Sequence, residues 1–182
     1  MSYNIPVFLS YPKPHLERQD KFVKSICSYL EERGFAGRTL GVTDYGINSP
    51  LTAIRGLMME CNGIITVAFA RTKVVNAISK PDSDLGDIGK SIEGQWLTSP
   101  WCHIEPAMAY QLGLPILLLR EKGVIADGIL ERGVTGTYLP EFDLNDAAEK
   151  YLESQEWRQL IGTWEGYVRK VVDNKSRPPQ LF

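Results

Sequence analysis

Gly63-Ile64-Ile65-Thr66-Val67-Ala68-Phe69-Ala70 is the stretch that sets the fold class. It is apolar at odd and even positions alike, and it is far shorter than the ~20 residues that span a bilayer. A strand without a polar face is buried on both sides, as in the middle of a parallel sheet covered by helices. Ile5-Pro6-Val7-Phe8-Leu9-Ser10, closed by Tyr11-Pro12-Lys13-Pro14, reads as a buried first strand, and Pro115-Ile116-Leu117-Leu118-Leu119-Arg120 reads as another.

Amphipathic stretches separate these runs. Phe22, Val23, Ile26 and Leu30 share one helical face, and Gly34 ends that helix as a left-handed cap. Arg38 to Val42 reads as a second strand, followed by the loop Thr43 to Asn48. Ser49-Pro50 is an N-cap with proline at the first helical position, and Leu51, Ile54, Leu57 and Met58 form the inner face of that helix. Arg71 to Thr98 reads as loop with one helical turn at most, a length that marks a functional loop or a missed element. Ser99-Pro100 repeats the helix-start signal and opens a helix through Tyr110, capped near Gly113. Pro106 inside it predicts a kink or restart at Glu105. A short helix over 126–131, a strand over 137–139 and a helical region from Asp146 follow. In that last region Trp157, Leu160, Ile161, Trp164, Val168 and Val171 keep helical spacing, and Ser176-Arg177-Pro178-Pro179 marks the tail.

Five strands alternating with about five helices give an open, three-layer α/β fold around a five-stranded parallel sheet. The chain reads as one domain over 1–182, with a core at about 5–140 and a helical region at about 146–175. Ligands bind such sheets beyond the carboxyl ends of the strands. The loops after Ser10, Val42, Ala70 and Arg120, with the helix that starts at Ser99, therefore share one rim.

Composition removes several function classes. Lys and Arg total 20 against 22 Asp and Glu, a net charge of -2, which does not suit a whole-surface nucleic-acid or membrane binder. Cys27, Cys61 and Cys102 form no CxxC pair, and His15 and His103 are the only histidines, so neither a disulfide framework nor a His-rich metal centre is expected. The N-terminus has no basic segment leading into a long apolar one, so a cytoplasmic protein is expected. GxGxxG after a strand, GxxxxGK[ST], GxSxG and HExxH are absent. Cys102 and His103 are adjacent, and neighbours on a helix point about 100° apart.

Ser99-Pro100-Trp101-Cys102-His103-Ile104-Glu105 is the informative stretch. Trp101 and Glu105 are four apart and share a helical face. A carboxylate beside an aromatic plane at the rim of a parallel sheet suits a small-molecule site, with the ring stacking on a flat group and the acid facing sugar hydroxyls or a developing cation. The same spacing also suits a core tryptophan and a solvated glutamate favoured by the helix dipole.

Several segments, in order, resemble a Toll/interleukin-1 receptor (TIR) domain. Val7-Phe8-Leu9-Ser10-Tyr11 is similar to the first-strand signature and Phe22 to Gly34 to the first helix. Tyr45-Gly46, Pro50-Leu51, Ala53-Ile54 and Cys61 to Val67 resemble the second loop, second helix and third strand. Ser99 to Glu105 resembles the S-x-W-C-x-x-E motif, and Leu114 to Leu118 the strand after it. The likeness covers about residues 5 to 140, with two departures: the long 71–98 insertion, and Cys61 where a serine is common.

That resemblance implies a flavodoxin-like fold and cleavage of the nicotinamide-ribose bond of NAD, with Glu105 catalytic and NAD as substrate rather than cofactor. It implies that Ser10, Tyr11, Asp44, Tyr45 and Trp101 contact substrate, Asp44 and Tyr45 from a covering loop, and that no metal takes part. The product is ADP-ribose with water as acceptor, or a cyclic ADP-ribose isomer with an atom of the same molecule. It further implies self-assembly through TIR contacts and a nucleotide signal read by a separate effector protein, as in bacterial antiphage systems such as Thoeris. Two alternatives stay open. Glu105, Ala109, Gly113 and Pro115 are also similar to the E-x-x-x-A-x-x-x-G-K-P pattern of nucleoside 2-deoxyribosyltransferases, with Leu114 in place of the lysine. The other is a non-catalytic TIR module that binds a partner or nucleotide.

Overall fold

The computed structural model describes residues 4–174 apart from 46, 48, 136, 137, 146 and 147. Its centre is a five-stranded, all-parallel sheet of β1 (Ile5–Ser10), β2 (Phe35–Arg38), β3 (Ile64–Ala68), β8 (Ile116–Glu121) and β9 (Glu141–Phe142), in the order β2-β1-β3-β8-β9. This is the order of a flavodoxin-like sheet, the type that the resemblance implies, and its direction reverses between β1 and β3. The crevice beyond the carboxyl ends of those two strands is therefore the place where the fold offers a site.

Helices cover both faces. On one side α1 (Glu17–Glu32) and α5 (Gln155–Asn174) pack Phe22, Ile26, Trp157, Ile161 and Val168 against Val7, Leu9, Ile65 and Val67. On the other, α2 (Pro50–Glu60) and α3 (Trp101–Gln111) bury Ile54, Met58 and Ala109 against Phe8 and Ile64. A short α4 (Ala148–Leu152) precedes α5. The helix faces follow the sequence pattern except at Leu51, which lies in the first turn of α2 and is 53% exposed. Gly34 caps α1 at φ 80°, as expected. Gly63 is needed for a different reason: a Cβ there would sit 2.6 Å from Cγ2 of Val168, so its bare backbone lets α5 approach the start of β3.

Four expectations are corrected. The second strand is Phe35–Arg38, not 38–42, because Phe35 is fully buried and pairs with Ile5, while Gly41 N–H donates to the Asp44 carbonyl (2.7 Å) in a tight turn. The fifth strand is Glu141–Phe142 rather than 137–139, anchored by Phe142 stacked on Phe22 with ring centres 4.5 Å apart. The helix expected over 126–131 shrinks to a 3-10 turn at Gly128–Leu130, which begins at a positive φ of 54°. No restart occurs at Glu105: α3 runs unbroken through Pro106, which forfeits one intrahelical bond while the helix packs on β1, β3 and β8. Thr137, Asp146, Gly46, Asn48 and the tail 176–179, which the sequence reading also used, lie outside the described residues.

The 71–98 insertion has no helical turn. β4 (Thr72–Lys73) pairs antiparallel with β7 (Trp96–Leu97), and β5 (Ile78–Ser79) with β6 (Lys90–Ser91). Both pairs keep one register, so they form a single interrupted hairpin. Its root is fixed where Trp96 N–H donates to the Gly123 carbonyl (2.9 Å) and Ile125 N–H to the Trp96 carbonyl (2.8 Å). Among the described residues no helix is long and apolar enough to cross a membrane.

Candidate active site

Strand alternation aims Ser10. Val7 and Leu9 face the α1 and α5 layer, so Phe8 faces α2 and α3, and Ser10, the last residue of β1, shares that side. On α3 the buried residues are Cys102, Glu105, Pro106 and Ala109, a stripe at helical spacing that faces the sheet. Glu105 thus places a carboxyl group in the inward stripe of a core helix, 9% exposed. The Ser10 hydroxyl donates a hydrogen bond to its Oε2. The start of α3 is fixed by Trp101 N–H donating to Ser99 Oγ (3.3 Å).

Burial disfavours the charged form of Glu105, and the Ser10 donor partly restores it; the balance raises the pKa from the ordinary 4.5 to about 7. A carboxyl group poised near neutrality in a cleft has the signature of a functional acid or base. Cys102 differs: its Sγ faces the Val67 carbonyl (3.8 Å), and burial pushes its pKa up to about 12, which suppresses the thiolate a nucleophile needs. His103 Nε2 lies 3.8 Å from Asp127, and His103 lines a separate hollow with Thr98 and Gly128. No Cys-His pair forms.

Glu105 opens into a cavity of about 690 Å³ at the switch point of the sheet. Ser10, Tyr11, Ser99 and Trp101 line it, with Trp101 at the mouth and 38% exposed. Lys13, His15 and Arg71 line it as well, so two basic side chains and a histidine share the cavity with a single acid. Sequence reasoning placed their two loops at the rim but did not single out these residues. Adding up the charges in the loops after β1 and β3 would have found them.

Four of the six expected site residues, Ser10, Tyr11, Trp101 and Glu105, thus meet in one cavity. Asp44 and Tyr45 do not line it. The Arg38 guanidinium grips Asp44 through Nε at 3.2 and 3.3 Å to its two carboxylate oxygens, with a further contact from Nη2, and holds the carboxyl below its usual range. Asp44 also accepts from Thr43 Oγ1 (2.7 Å), so in this structure it staples the turn after β2, whose Thr39 and Leu40 reach the cavity. Tyr45 is 81% exposed. A second cavity, about 560 Å³ near the start of β8, is lined by Tyr110, Leu114, Ile116 and Trp164 among others and has no ionised side chain at neutral pH among its described residues. No group of three or more described His, Cys, Asp or Glu residues is arranged to hold a metal ion.

No protein-family model matches the chain, and no curated protein sequence matches it. Among solved structures it is similar to the CMP N-glycosidase BcmB of Clostridium botulinum, at 22% identity and a TM-score of 0.47, over 81% of this chain and 94% of that one. It is also similar to the TIR domains of the activated Roq1 resistosome that directly recognises the pathogen effector XopQ, at 15% identity and a TM-score of 0.41, over 93% of this chain and 84% of that one. Both scores fall below 0.5, so these likenesses carry neither a family nor an activity over to this chain.

Proposed function

We propose that the protein cleaves the N-glycosidic bond of a nucleotide and that its substrate is NAD. One observation carries this reading: a buried carboxyl group, Glu105, held by the Ser10 hydroxyl in a cavity that Trp101, Lys13 and Arg71 also line. In the reaction the bond between ribose C1′ and the pyridinium nitrogen breaks, and its electron pair neutralises that nitrogen. Nicotinamide therefore leaves without needing a proton, which suits a site with one acid and no His pair. Positive charge grows on the ribose, and the ionised Glu105 stabilises it, as carboxylates do in glycoside cleavage. The cationic substrate favours the ionised form of Glu105 on binding. Trp101 stacks on the planar ring, and Lys13, His15 and Arg71 receive the diphosphate. Capture of C1′ by water, with loss of one proton, gives ADP-ribose; capture by an atom of the same molecule gives a cyclic isomer.

On this reading Asp44 and Tyr45 act from the loop after β2. The protein is then a signalling enzyme: activated by self-assembly, it makes a nucleotide read by a separate effector in bacterial antiphage defence. The test is release of nicotinamide from NAD across a range of protein concentrations, with CMP and a deoxynucleoside run beside it. Turnover of NAD that is lost in Glu105→Gln and Glu105→Ala supports the assignment. Turnover of CMP or the deoxynucleoside alone moves the substrate class, and equal turnover in both Glu105 variants removes Glu105 from catalysis.

A further inference from the structure

Two buried polar side chains bond to the segments that carry Lys13 and Arg71, and the reaction above uses neither. Gln19, in the first turn of α1, is fully buried, and Glu121, the last residue of β8, is 7% exposed. Every polar atom of the Gln19 amide is engaged. Its Nε2 donates to the Ala70 carbonyl (3.1 Å) and to Glu121 Oε2 (3.2 Å), and its Oε1 accepts from His15 N–H (3.2 Å). The same Glu121 oxygen accepts from Ala70 N–H (2.8 Å).

The placement of these bonds is informative. They end on the main chain of His15 and Ala70, which lie in the segments that leave β1 and β3. Those segments carry Lys13, His15 and Arg71 into the cavity. Apolar side chains of similar volume would fill the same space without desolvating a carboxylate. What an apolar pair would lose is a fixed spacing between the two loops. Like charges converging on one cavity repel before a substrate arrives, and a rigid support holds them there at no cost during binding.

We propose that Gln19 and Glu121 are positioning residues for substrate phosphate: as one buried brace they clamp the β1 and β3 loops together and hold Lys13, His15 and Arg71 as a preformed phosphate subsite. The proposal rests on the nucleotide reading of the cavity. The experiment therefore measures binding apart from turnover.

ADP and adenosine are titrated calorimetrically into the full chain and its variants. Gln19→Met removes all three amide bonds at nearly constant volume, and Gln19→Asn shortens the reach while keeping the amide. Either variant is expected to weaken ADP about tenfold and adenosine less than about twofold. Glu121→Gln keeps an oxygen that accepts both bonds and should retain ADP affinity within about threefold. Arg71→Ala should give a phosphate-selective loss too, and Gln19→Met should cost less in that background than in the unmodified chain, because part of its effect acts through Arg71. The proposal is overturned if the Gln19 variants bind ADP like the unmodified chain, if they lose adenosine in step with ADP, or if the unmodified chain shows no preference for ADP. A Gln19→Asn chain that is unfolded at 25 °C marks the pair as a folding element and also overturns it. Nicotinamide release on the same samples reads the enzymatic assignment separately: a chain that prefers ADP but never releases nicotinamide loses the reaction and keeps the brace.

Discussion

Replacing Glu105 by Gln should make the protein more stable, and only above mildly acidic pH. In the unfolded chain a glutamate releases its proton near 4.5, whereas in the folded chain Glu105 keeps it to about 7. Between those values the folded state binds one more proton than the unfolded state, so stability falls as pH rises. At about 1.4 kcal/mol per pH unit the accumulated loss is about 3 kcal/mol. Glu105→Gln keeps the shape and an oxygen for the Ser10 hydroxyl but has no proton to lose. The stability difference between variant and unmodified chain should be close to zero at pH 4, grow through pH 4.5–7 and level off at about 3 kcal/mol by pH 8. Urea unfolding of both chains across that range measures it, and other titrating groups cancel in the difference. A difference that stays flat within ~0.5 kcal/mol from pH 4 to 8.5 refutes the buried, proton-retaining carboxyl group. On the proposed mechanism, in which the ionised form does the chemistry, kcat/KM for NAD in the unmodified chain should rise with pH through the same region.

Ser10→Ala removes the donor that favours the ionised carboxylate. The rising limb of the pH profile should move upward, with kcat/KM at pH 7 down about tenfold and much of it regained by pH 9. Trp101→Ala should raise KM for NAD about tenfold while Tm shifts only slightly, since the ring is 38% exposed and lies at the mouth. Gly63→Ala places a methyl group 2.6 Å from Val168 Cγ2 and 3.3 Å from the Pro115 carbonyl, so the urea midpoint should fall by the equivalent of about 2 kcal/mol, with activity per folded molecule unchanged.

What could be read from the sequence was whatever repeats along the chain. The unbroken apolar run at 64–68, the helical stripe of Phe22, Val23, Ile26 and Leu30, and the alternation of strands and helices gave the parallel sheet and the rim of loops at its carboxyl end. What stayed hidden depends on partners far away in sequence. The 71–98 hairpin pairs two residues at a time and is held at its root by Gly123 and Ile125, so no local periodicity marks it. β9 is a strand because Phe142 stacks on Phe22, and β2 shifts toward its N-terminus because Phe35 is the residue that fills the core. Within the site, the spacing from Trp101 left a solvated Glu105 open, and the resemblance over 99–105 singled it out. The contact that ties it to Ser10, and the loops that bring Lys13 and Arg71 to the same cavity, appear only once the chain is folded.

The Ser10–Glu105 hydrogen bond joins positions 95 residues apart. Ser10 becomes fixed when β1 pairs with β3, and Glu105 when α3 lies down between β3 and β8. A growing or truncated chain that stops short of β8 therefore has both groups and no competent site. Long-range pairing of this kind forms slowly. On the proposed function, turnover should appear only once the sheet is complete, and its recovery after denaturation would time folding directly.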